Sequence, residues 1–171
     1  ATALAFAREG ARVVVADINE TLAHKSAGLI RAAGGEALAI RADMARAADI
    51  QTVMEAARST FGGLHMASNN AAAAAPNKPL TEITEEEWDR CMSVTLRGVW
   101  LCLKYELPLI AASGGGAWRS RHSSRRTVRP RIVMPAHLCQ LNSLTRWIEN
   151  GRPLMYRPTQ NEAISISASS Q

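Results

Sequence analysis

The sequence predicts an α/β fold: a doubly wound parallel sheet followed by an irregular basic C-terminal tail. Three observations predict it. Short apolar runs alternate with helical periods through the first two-thirds of the 171 residues. Glycines stand at the joints between them. Charge divides the chain unevenly. Residues 1–116 hold eleven basic and thirteen acidic side chains, a net of −2, whereas residues 117–171 hold nine arginines and two glutamates, a net of +7.

Ala1 to Ala7, alanine-rich with Leu4 and Phe6, reads as the last turns of a helix that stops at Gly10. Arg12 to Ala16 is a continuous apolar run, as a strand buried on both faces requires. Asn19 caps a helix to about Ala33, closed by Gly34 and Gly35. Glu36 to Arg41 is a second strand. Arg46 to Phe61 sets Ile50, Val53, Met54, Ala57 and Phe61 along one helix face. Leu64 to Ser68 is a third strand, diluted by His65 and Ser68, and a loop spans 71–79. Thr84 and Glu87 form a capping box. It opens a helix over 85–111 with the stripe Trp88, Cys91, Met92, Thr95, Val99, Leu103, Leu107 and Ile110, and Pro108 is expected to kink or end its last turn. Strands alternating with helices imply a parallel sheet.

Composition narrows the chemistry. The cysteines Cys91, Cys102 and Cys139 are odd in number and lack a CxxC spacing, which argues against a disulfide framework and a zinc site. His24, His65, His122 and His137 show no metal-ligand spacing. Lys104 and Glu106 break the longest apolar stretch, so no membrane span is expected. No signal peptide is recognised, and the expected setting is the cytoplasm.

The candidate functional residues follow the three strands. Asp17 ends the first, where an acid accepts hydrogen bonds from adenosine ribose hydroxyls and repels a 2′-phosphate, or simply caps the next helix. Asp43 follows the second, as a ligand-side residue at a strand tip or as a helix-entry cap. Asn69 and Asn70 follow the third, as the floor of a cofactor pocket or as turn residues. Together they occupy successive strand tips, where open α/β sheets bind ligands.

At this point the chain resembles the short-chain dehydrogenase/reductase family. The resemblance rests on Ala1 through Gly10-Ala11 and Val13-Val14-Val15-Ala16-Asp17, then Asp43-Met44 and Asn69-Asn70-Ala71. It continues with Val94-Thr95-Leu96-Arg97-Gly98-Val99-Trp100 and Gly114-Gly115-Gly116-Ala117. It implies that residues 1–117 form part of an NAD(P)-binding, Rossmann-like domain of an oxidoreductase acting on a small alcohol or ketone. It also implies that Asp17 favours NAD over NADP, that Asp43 and Met44 contact the adenine, and that Asn70 and Ala71 floor the adenosine side. The chain departs from the family at Ala72, where a glycine is usual, at His65, where an acid is common, and at Thr95, where an asparagine holds a proton-relay water. The glycine-rich turn that grips pyrophosphate, and the strand before it, would lie upstream of Ala1. The strands at 12–16 and 64–68 are therefore expected to lack a common neighbour. The family reaction needs a tyrosine with a lysine four residues on. Leu109 follows Tyr105 at that spacing and Gln160 follows Tyr156, so no catalytic residue is assigned.

Residues 118–171, rich in Arg, Ser and Pro, show no strand period between Trp118 and Arg126 and no family pattern. A reading-frame shift near Ala117 in a GC-rich gene would produce such a composition. Two further roles are open. Arg119, Arg121, Arg125, Arg126, Arg129 and Arg131 suit an anionic surface, with nucleic acid disfavoured by the sparse aromatic residues. Val99, Leu103, Leu107 and Ile110 suit a homo-oligomer built through the helix at 85–111.

Overall fold

The computed structural model describes residues 2–74, 76–120, 126–128 and 161–166, the last two stretches as backbone strands. Helix α1 (Thr2–Arg8) leads into β1 (Ala11–Asp17), α2 (Glu20–Ala32), β2 (Ala37–Arg41), α3 (Ala47–Phe61) and β3 (Met66–Asn69). Then come α4 (Glu85–Met92), α5 (Val99–Ala112), β4 (Gly116–Ser120), β5 (Arg126–Val128) and β6 (Asn161–Ile166). The six strands form one sheet in the order β2-β1-β6-β3-β4-β5. All neighbours run parallel except β5, which is antiparallel to β4.

Local signals account for the first half. Asn19 accepts a hydrogen bond from the Leu22 N–H at 3.2 Å and starts α2. In α3 the buried side chains are Ile50, Val53, Met54, Ala57 and Phe61, the face expected from the sequence. Arg12 in β1 sends its guanidinium to the Phe61 carbonyl at 2.8 Å, satisfying an acceptor at the end of α3, and lies over the Phe61 ring. Residues Val14 and Ala16 of β1 pack with α3 and α5, whereas Val13 and Val15 pack with α2. The strand is thus buried on both faces.

The expectation of a split sheet is corrected. β6 lies between β1 and β3 and pairs with both. Ala11 to Ala16 face Asn161 to Ile166, and Met66 to Asn69 face Ala163 to Ile166. The inner edges of β1 and β3 therefore find donors and acceptors in a strand from the far end of the chain. The tail also supplies β5 and most of β4, which runs through position 117. Gly116 allows β4 to begin against β3, because a Cβ there would strike the His65 carbonyl that bonds the Ala117 N–H. The possible elements at 132–134 and 138–148 lie outside the described residues, as do Arg121, Arg125, Arg129, Arg131, Tyr156, Cys139, His122 and His137.

The single helix expected over 85–111 is also corrected. A π-helical segment at Ser93–Gly98 separates α4 from α5, and α5 continues through Pro108 to Ala112. The wider turn rotates the apolar stripe. Leu101, Cys102, Glu106 and Ile110 face the core, while Trp88, Leu96 and Trp100 stay 52%, 62% and 55% exposed. Among the described residues, no helix is long and apolar enough to cross a membrane.

Candidate functional site

The C-terminal ends of β1, β2 and β3 lie along one edge of the sheet, because the strands are parallel and nearly in step. Asp17 is level with Arg41, and both Ser120 and Ile166 are level with Asn69. The edge therefore gathers Asp17, Asp43, Asn70 and Ala71, as the sequence led one to expect.

Each is held by short-range contacts. Asp17 is buried, and its Oδ1 accepts the Asn19 N–H at 2.9 Å. This bond secures the turn into α2, as the capping reading of Asp17 expects. Asp43 is half-buried. Its Oδ1 accepts the Ala45 N–H at 2.9 Å, and its own N–H donates to Asp49 Oδ2 at 2.9 Å. This loop is clamped against the π-helical segment. Arg97 donates to the Ala45 carbonyl at 2.8 Å, and a Cβ on Gly98 would lie 2.8 Å from the Met44 carbonyl oxygen. Only a glycine admits that approach.

Met44 does not present its side chain at the edge. It is buried in the core, in contact with the Cys102 thiol at 3.7 Å. Asn70 is exposed just past β3 and Ala71 is buried beside it. Thr95 sits in the π-helical turn, half-buried, with Oγ1 4.0 Å from Cys91 Sγ. Tyr105 packs on the core. The edge thus carries an acid at the first tip, an exposed amide at the third, and a short loop between them.

Beneath the edge lies a pair that the sequence reading missed. Glu106 is fully buried, and Oε2 accepts the Asn69 Nδ2–H at 2.9 Å. Burial pushes its carboxyl up to about 7, against the opposing effect of the Asn69 hydrogen bond. Burial, and then the nearby Glu106, push the Cys102 thiol up as well. The sequence carried a signal for this. Glu106 stands four residues after Cys102 and four before Ile110, on the core face of α5 rather than among its exposed positions.

A family model described as Enoyl-(Acyl carrier protein) reductase matches residues 1–148. The chain is 36% identical over 157 residues to the short chain dehydrogenase/reductase astE of Aspergillus oryzae, covering 88% of this chain and 60% of that protein. It is 43% identical over 116 residues to a cyclohexanol dehydrogenase of an Acinetobacter species, covering 68% and 46%. The fold resembles that of a 7α-hydroxysteroid dehydrogenase solved with NADH and 7-oxo glycochenodeoxycholic acid. The TM-score is 0.64, at 27% identity, over 69% of this chain and 46% of that one. The chain thus spans about half the length of the relatives it matches.

Proposed function

The chain belongs to the short-chain dehydrogenase/reductase family, and from that premise we propose that it carries the adenosine-binding part of an NAD-dependent oxidoreductase of alcohols or carbonyls, without turnover as it stands. The observation that carries this reading is the convergence of Asp17, Asp43, Asn70 and Ala71 on one sheet edge. Asp17 would accept the ribose hydroxyls and, through its charge, disfavour a 2′-phosphate. Asp43 and the backbone beside Met44 would flank the adenine, and Asn70 with Ala71 would floor the pocket. The nicotinamide, when bound, supplies hydride exchange with an alcohol or carbonyl carbon. The proton that accompanies it needs an activated phenol, and no tyrosine of this sequence has a lysine four residues on.

Titration with NADH, followed by fluorescence, tests binding. Incubation with cyclic ketones, followed by NADH absorbance, tests turnover. Saturable binding without consumption is expected, and consumption above background overturns the absence of catalysis. Asp17→Ala is expected to raise NADPH affinity relative to NADH about tenfold, a repulsion of roughly 1.4 kcal/mol.

A second reading is favoured by the exposed stripe of Trp88, Leu96 and Trp100. Such a stripe suits self-association through the helices at 85–111. Sedimentation across concentrations tests it, and a Trp100→Ser chain is expected to shift toward monomer. A monomer at all concentrations in both chains removes this reading.

A further inference from the structure

Glu106 takes no part in the nucleotide reading, and the geometry of its pair with Asn69 is incomplete in a specific way. One hydrogen bond joins them, from Asn69 Nδ2 to Glu106 Oε2 at 2.9 Å. The other oxygen of each group, Glu106 Oε1 and Asn69 Oδ1, is buried with no hydrogen-bond partner. An ionised carboxylate offers acceptors alone, and an amide oxygen is also an acceptor. With Glu106 charged, neither orphan oxygen can serve the other, and among the described residues no cation is paired with the buried charge. One proton on Oε1 converts it to a donor and answers both needs together.

We propose that Glu106 is held as a neutral carboxylic acid whose Oε1 proton is shared with Asn69 Oδ1. This closes a cyclic two-bond pair that fastens α5 to the last residue of β3. The proton comes from solvent as the chain folds, and no other bond changes. The surroundings agree. On α5 itself, Lys104 is exposed, Tyr105 is half-buried and the Cys102 thiol lies one turn away. On α3, Glu55 and Arg58 pair with each other at the surface, and Asp49 holds the Asp43 N–H and Arg46. On the π-helical segment, Arg97 is exposed and bonds the Ala45 carbonyl. β3 carries no charged residue, and Arg119 of β4 is exposed. Among the described side chains, the only other influence on the Glu106 carboxyl is the Asn69 hydrogen bond. Glu106 is thus a positioning residue. Asn70 and Ala71 follow Asn69 directly, so the ring sets the height of the pocket floor, a consequence that alone rests on the nucleotide reading.

The test uses the full chain labelled with carboxyl-¹³C glutamate. The Glu106 resonance, assigned through the backbone of the unmutated chain, is expected to report a neutral acid at about pH 5 and to titrate well above the ordinary carboxyl range. An ionised signal throughout overturns the proposal, whether or not any variant folds. Glu106→Gln places an amide donor where the proton sits and should keep the ring at every pH. The unmutated chain is expected to lose on the order of a hundredfold in its folding equilibrium between about pH 5 and pH 8, relative to that variant. An identical pH profile in the two chains overturns the proposal as well. NADH affinity is read separately. If the ring titrates while the affinity of the unmutated chain and the variant stays parallel, the ring stands and its link to the floor falls.

Discussion

β1 and β6 lie side by side in the sheet over six residue pairs, yet only one announces itself in the sequence. β1 reads Val-Val-Val-Ala, the continuous apolar run of a strand covered on both faces. β6 reads Asn-Glu-Ala-Ile-Ser-Ile, with a glutamate and a serine that no central strand would advertise. The composition of β1 dictates its place, whereas the place of β6 follows from the two edges that β1 and β3 offer. A strand can be specified by its acceptors rather than by its own periodicity.

The comparison breaks most visibly if β6 is removed. A chain of residues 1–160 leaves ladder groups of β1 and β3 unpaired at ~1–3 kcal/mol each, enough to exceed a domain's usual 5–15 kcal/mol. Loss of cooperative melting by circular dichroism is expected, with hydrogen exchange fastest in β1 and β3. A truncated chain that melts like the full one would show that β6 is dispensable. Next in size is the acid beneath β3. The folded carboxyl of Glu106 titrates at about 7, above its unfolded value of about 4.5. The folded state therefore holds the proton more tightly. Stability is greatest below about pH 4.5, falls as pH rises to about 7, and is level beyond, a loss of about 3 kcal/mol. Urea unfolding across that window checks the sign.

Smaller effects sharpen the contrast within the first half, where the signals are local. Gly98→Ala drives a methyl group into the Met44 carbonyl and is expected to cost about 1–3 kcal/mol, read as a lower urea midpoint. Asn19→Ala removes the α2 cap at a cost of about 1 kcal/mol, read as a small drop in Tm.

The same contrast explains what was legible. The core face of α3, the Asn19 cap, the Thr84–Glu87 capping box and three of the strands follow from patterns within a few residues. So does the gathering of Asp17, Asp43 and Asn70, since strand tips of a parallel sheet share an edge. Three features escaped because they depend on distant partners. Met44 turns inward because Cys102 and the approach at Gly98 receive its segment. The π-helical turn at Ser93–Gly98 shifts the core face of α5 to Leu101, Cys102, Glu106 and Ile110, so a stripe counted across 88–110 at constant period finds only Ile110 of these four. Glu106 interrupts an apolar run in one dimension and meets Asn69 only in three.

The late position of β6 also has a temporal side. During synthesis, the segment that fills the middle of the sheet leaves the ribosome about ninety residues after β3. At roughly 5–20 residues per second, the two inner strands wait some 5–20 s before they can be joined. Throughout that interval the facing edges of β1 and β3 lack the strand that joins them, and the rate of translation becomes one of the conditions of folding.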